Sequence, residues 1–163
     1  MKVEKSSRHQ KIIGYFGEML VCNWLSRSGF EVMSVDHTGI DIIAYNPSTK
    51  QRFGITVKSR TREKGKETSN VNLFLKRKRD REKLLDACRM FECEPWIAVY
   101  VETPTYADLY LTSLENYDKK YHGQEKTIET WKMGKKYREQ YEKDRKVKHI
   151  HLEFEATNWD WNR

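Results

Sequence analysis

The sequence predicts an α/β fold: a mixed sheet flanked by helices, with a further helix and strand added at the C-terminal end. Three observations predict it. A segment of helical periodicity, residues 9–28, is stopped by Gly29. Three strand-like runs follow it closely enough to form a meander. Beyond them helix and strand patterns alternate, the arrangement that places helices on the faces of a sheet. A chain of 163 residues, 37% hydrophobic and 34% charged, is long enough to bury one core without staples.

In the first helix, Ile12, Phe16, Met19, Leu20 and Trp24 recur at helical spacing as the main apolar face. Val21, Cys22 and Leu25 make a second stripe, so the helix is expected to be sandwiched within the domain. Glu18 interrupts the second stripe, and a carboxylate placed there calls for a cationic partner.

The strand-like runs are Phe30 to Val35, Ile40 to Tyr45 and Arg52 to Lys58. Asn46-Pro47-Ser48-Thr49-Lys50 has hairpin-turn chemistry. A turn centred between Ser48 and Thr49 sets Asp41 opposite Thr56. Strand alternation then puts Asp41, Thr56 and Lys58 on one face, with Ile40, Ile42, Ile55 and Val57 on the other.

Residues 59–69 read as a polar loop, Val71 to Leu75 as a short strand, and 78–91 as a helix with Leu84, Leu85, Cys88 and Phe91 on one face. Trp96 to Val101 and Asp108 to Leu111 are strands. Thr112 to Tyr121 is a short helix capped by Thr112 or Ser113, with Glu115 in its first turn. Residues 1–121 read as the core. Residues 122–163 add a basic helix, 131–145, and a strand, 147–154, in which Ile150, Leu152 and Phe154 alternate with His149, His151 and Glu153.

The charge is informative. The whole chain carries +7, yet segment 50–83 alone has a larger basic surplus, concentrated in Lys58, Arg60, Arg62, Lys64, Lys66, Lys76, Arg77, Lys78 and Arg79. Such a segment suits phosphate contacts and favours a polyanionic partner, and charge alone does not separate DNA from RNA. The basic helix 131–145 reads as an ordinary surface helix. His149 and His151 share a strand face, a metal pair only if a third ligand joins them, and spacing identifies none. Trp159 and Trp161 are expected to anchor the chain end to the core.

No apolar run is long enough to cross a bilayer, and Met1-Lys2-Val3-Glu4-Lys5-Ser6 lacks a secretion signal's apolar stretch. Cys22, Cys88 and Cys93 form no C-x-x-C pair, so neither a disulfide framework nor a zinc knuckle is expected. A reducing, cytoplasmic setting is the expectation.

Gly17-Glu18 on a first helix, Gly39-Ile40-Asp41 opening a strand and Thr56-Val57-Lys58 after a turn resemble the PD-(D/E)XK nucleases, which include restriction endonucleases and Holliday junction resolvases. The resemblance covers about residues 9–112. It implies a restriction-endonuclease-like αβββαβ core and a metal-dependent endonuclease acting on DNA in repair, recombination or defence. Asp41 would hold Mg²⁺ or Mn²⁺ with the Val57 carbonyl, and Glu18 would complete the shell or hold Lys58. Lys58 would orient or activate the attacking water. Two departures stand out. Ile40 replaces the motif's proline, and Thr56 stands where the second acidic residue belongs. A neutral hydroxyl is a poor Mg²⁺ ligand. The alternative is therefore a catalytically inactive nucleic-acid-binding or scaffold protein of the same fold. Cutting two strands with one site per chain favours a symmetric homodimer.

Overall fold

In the computed structural model, which describes residues 3–161, a six-stranded mixed sheet forms the centre in the order β1-β2-β3-β5-β6-β8. The helix α1 (His9–Arg27) leads into a meander of β1 (Glu31–His37), β2 (Ile40–Tyr45) and β3 (Arg52–Thr61). The hairpin turn is held by Asn46, whose Oδ1 accepts the Ser48 amide at 3.0 Å, and closes through Lys50 at φ 64°. Its register is the one the turn predicts: Ile42 faces Ile55 and Ile43 faces Gly54.

The chain then crosses over through β4 (Val71–Leu75), a 3-10 turn at Lys76–Lys78 and α2 (Asp80–Met90). It returns as β5 (Glu94–Glu102), parallel to β3. A crossover of this kind is what a parallel neighbour requires. β6 (Tyr106–Ser113) pairs antiparallel with β5, and α3 (Leu114–Lys120) follows, capped by Ser113 accepting the Asn116 amide.

The segment after Gly123 contributes β7 (Ile128–Trp131), α4 (Lys135–Lys143) and β8 (Lys148–Glu153). β7 pairs with β4 in a separate two-stranded sheet, and β8 extends the main sheet beyond β6. The strand β7 was not foreseen: residues 131–145 read as one helix, but the helix begins only at Lys135, after Gly134.

Each sheet face carries its own core. α1 covers one face through Ile13, Val21, Cys22 and Leu25, packed on Ile42, Ala44, Ile55 and Val57. The other face holds α2, through Leu84, Ala87 and Cys88, and the aromatic group Tyr110, Tyr117, Trp131 and Tyr141.

Several side-chain placements also differ from expectation. α1 is not sandwiched. Of the expected main face, Ile12, Phe16 and Met19 look into solvent, Met19 being 58% exposed, and only Leu20 and Trp24 are half-buried against the core, while the second stripe is the buried one. The sheet offers α1 one surface, and the stripe containing Gly17 wins because it permits the closer approach. Ile40 does not side with Ile42 and Val57 but joins the core on the α2 face. The β1–β2 register slips between Ser34 and His37, and Gly39 turns at φ 105°, so regular alternation sets in only from Asp41. Phe91, at the end of α2, is exposed and meets His37 edge-on at 5.2 Å.

Trp159 and Trp161 stack on each other, 6.1 Å apart, and are more than 80% exposed, so they do not anchor the chain to the core. The three cysteines are free. Among the described residues no helix is long and apolar enough to cross a membrane.

Candidate active site

The β2–β3 ladder stops at Ile42–Ile55, but β3 continues to Thr61 along β5. At this fork the Val57 amide loses its strand partner, and the Asp41 carboxylate takes the position. Asp41 Oδ2 accepts the Val57 N–H at 2.7 Å and the Thr56 hydroxyl at 3.3 Å. An extended residue presents its N–H and C=O to the same side. The Val57 carbonyl therefore lies on the same edge as Asp41. A carboxylate fastened by a backbone donor is held in place before any ligand arrives.

Lys58, one residue on, opens with Asp41 and Thr56 into a cavity of about 180 Å³. Thr38, Gly39, Phe74, Asp80 and Lys83 complete its wall. The residues from α2 and β4 were not foreseen. Asp80 reads in sequence as an ordinary first-turn acid, and it does cap the Leu75 amide at 3.1 Å. Only the packing of α2 on the Thr38-Gly39 turn brings Asp80 and Lys83 to the cleft. A Cβ at Gly39 would sit 2.3 Å from the Lys83 carbonyl oxygen, so this approach needs glycine.

Glu18 arrives from the opposite face. A Cβ at Gly17 would lie 2.0 Å from Ser59 Oγ, so glycine lets α1 come down onto β3 just beyond Lys58. Burial raises the Glu18 carboxyl above its ordinary value, the negative charge of Asp41 raises it further, and Lys58 partly offsets both. Glu18, Asp41 and Lys58 thus share one electrostatic environment. Two carboxylates that repel each other beside a carbonyl form a hard oxygen donor set of the kind Mg²⁺ or Mn²⁺ takes. Thr56 adds no charge, and its hydroxyl is spent on Asp41.

The basic segment flanks this cleft. Arg60, Lys64 and Lys66 follow Lys58 along the chain, and Lys76, Arg77, Lys78 and Arg79 lie between the cleft residues Phe74 and Asp80. Part of that charge has structural work. Arg62 donates to the Ser69 and Asn70 carbonyls, and the Lys76 ammonium to the Glu125 carbonyl at 2.7 Å. Arg81 is tied to Asp118 and Glu129.

No protein-family model and no curated protein matches the sequence. Among solved structures, the chain is similar to Hjc, a Holliday junction resolvase from the archaeal hyperthermophile Archaeoglobus fulgidus. The TM-score is 0.50 at 16% identity, covering 70% of this chain and 86% of that one. The chain thus shares this resolvase's fold, an α/β arrangement with a mixed sheet flanked by helices, the fold class expected from the sequence.

Proposed function

We infer that the protein is a metal-dependent endonuclease that hydrolyses DNA phosphodiester bonds at the cleft formed by Asp41, Lys58 and Glu18. The observation that carries this reading is the fork between β2 and β3. There a carboxylate fastened by the Val57 amide opens into one cavity with the Lys58 ammonium. Asp41, Glu18 and the Val57 carbonyl would hold Mg²⁺ or Mn²⁺. Such an ion, when bound, polarises the phosphodiester and acidifies water.

The chain's own groups do the rest. Asp41 is kept in a single orientation by the Val57 amide and the Thr56 hydroxyl. Lys58 offsets the negative charge that grows on the attacked phosphate, a contribution largest in the transition state. The lysines and arginines on either side of the cleft would seat the DNA backbone.

One observation favours a second reading. With Thr56 neutral and hydrogen-bonded to Asp41, the cleft lacks the motif's second carboxylate, which suits a nuclease-fold protein that binds nucleic acid without cutting it. Cleavage assays on plasmid and branched DNA over a Mg²⁺ and Mn²⁺ series separate the two. Asp41→Ala and Lys58→Ala are each expected to lower cleavage by about 10²–10³-fold or more. DNA affinity should stay within a few-fold, because it rests on the surrounding basic residues. Wild-type inactivity on every substrate would favour the binding-only reading, and full activity in Asp41→Ala would place the chemistry elsewhere.

A further inference from the structure

On the far side of β6 from the nuclease cleft's strand, β8 brings two histidines against a buried carboxylate. Asp108 pairs across the strands with His151, and Tyr110 with His149. Asp108 is 0% exposed. Its Oδ1 receives His149 Nε2 at 2.8 Å and His151 Nδ1 at 2.7 Å, so both imidazoles converge on one oxygen. Its Oδ2 is taken by Arg138 of α4 at 2.6 Å.

We propose that Asp108, His149 and His151 form a binding site for a divalent transition-metal ion such as Zn²⁺, separate from the nuclease cleft. The donor atoms lie within 4.8 Å of one another, and an ion would take the place of the two hydrogen bonds, between the ring nitrogens and Asp108 Oδ1. Two imidazoles and one carboxylate select a borderline cation over Mg²⁺. The supports of such a site are present. Arg138 fixes the carboxylate through the oxygen a metal would not use, and Tyr110 stacks on His149 at 4.6 Å and 5°, which sets the ring's orientation. His151 is partly exposed, so the cluster can be reached from solvent.

A second cluster, Asp118, His122 and Glu129, has one histidine and two carboxylates and leaves no oxygen free of arginine. There the Arg81 guanidinium binds both carboxylates and already fills the cationic position. In the Asp108 cluster the arginine occupies one oxygen and leaves the other to the histidines. Spacing alone shows His149 and His151 as a pair. The third ligand comes from β6, forty residues earlier, and only the β6–β8 register supplies it.

The test uses the untagged, chelator-stripped full chain. Titration with Co²⁺ is expected to saturate one site of strong visible d–d absorption, apart from any weakly absorbing ion in the oxygen-lined cleft, without the near-ultraviolet thiolate band that cysteine ligation would add. Zn²⁺ should displace the Co²⁺ and raise the melting temperature. His151→Ala and His151→Gln, at a half-exposed position the fold tolerates, should each weaken binding by at least about tenfold. Asp41→Ala should bind as wild type does. Absence of saturable uptake by the wild type overturns the proposal. So does uptake that survives both His151 variants, or that disappears in Asp41→Ala.

Discussion

At the scale of single residues, Thr56 is the position on which the cutting and binding-only readings divide. It is 6% exposed, and its hydroxyl is committed to Asp41, so it acts on the site through the orientation of that carboxylate. Replacing it with glutamate supplies the missing charge on the same sheet face, next to a carboxylate and a lysine. Thr56→Glu is expected to lower the Mg²⁺ concentration at half-maximal cleavage by about tenfold, since a second carboxylate strengthens a hard-cation site. If the wild type binds DNA without cutting, cleavage should instead appear first in the variant. A metal titration of cleavage by the two proteins checks this. An unchanged or higher Mg²⁺ requirement in Thr56→Glu would show that position 56 does not face the ion. The change carries a cost in the absence of metal. Glu18 is already pushed upward by burial and by Asp41, and a third carboxyl adds to that repulsion.

At the scale of elements, the position of α1 sets where Glu18 lies, and Gly17 sets the position of α1. The methyl group of Gly17→Ala would collide with Ser59 Oγ and crowd Ser59 Cβ at 3.2 Å and Tyr100 Cβ at 3.4 Å. Ser59 must rotate and the helix must rise slightly, at about 1–3 kcal/mol, the usual range for overpacking. Cleavage should fall as Glu18 is carried away from Asp41. Adding Ser59→Ala removes the nearest atom and should recover much of both losses. Denaturant unfolding and cleavage rates of the two single variants and the double variant check this, and strict additivity would rule out the contact as the cause. The same helix shows where sequence reading succeeds and fails. Periodicity found both of its apolar stripes but had no means to rank them, because burial depends on how closely each stripe can approach the sheet. The hairpin register was legible as far as Ile42–Ile55, because turn chemistry is local: Asn46 and Lys50 shape the turn, and just past the ladder's end Asp41 and Thr56 meet through their side chains. Asp80, Lys83 and the strand β7 were not, because each depends on an element distant in the chain.

At the scale of the whole molecule, the question is where the net charge of +7 is expressed. Charged residues occur throughout the sequence, but many are neutralised in place. Arg81 lies in an ion network with Asp118 and Glu129, Arg138 is paired with Asp108, and Lys120 with Asp144 at 2.9 Å. Arg77, Lys78 and Arg79 stand between the cleft residues Phe74 and Asp80, and Arg60 and Lys64 follow Lys58. These residues neighbour the cavity along the chain, and the prediction is that a polyanion is held there. If these groups contact phosphates, each releases counterions, and log affinity falls by about 0.9 per contact for each tenfold rise in salt. Four or five contacts give a slope of about −4 for duplex DNA. Arg77→Glu combined with Lys78→Glu removes two of them and should make the slope shallower by about 2, weakening binding most at low salt. The control is Lys143→Glu with Arg145→Glu, at the end of α4. Arg145 lies beside Trp96 and Leu111, at the end of the sheet away from the cleft, and the pair makes the same change in net charge. If position governs, the control leaves the slope unchanged. If overall charge governs, both pairs shift it equally. Affinity that stays flat as salt rises would remove nucleic acid as the partner of this face. Fluorescence anisotropy with a labelled duplex and a labelled four-way junction, over the same salt series, distinguishes these outcomes.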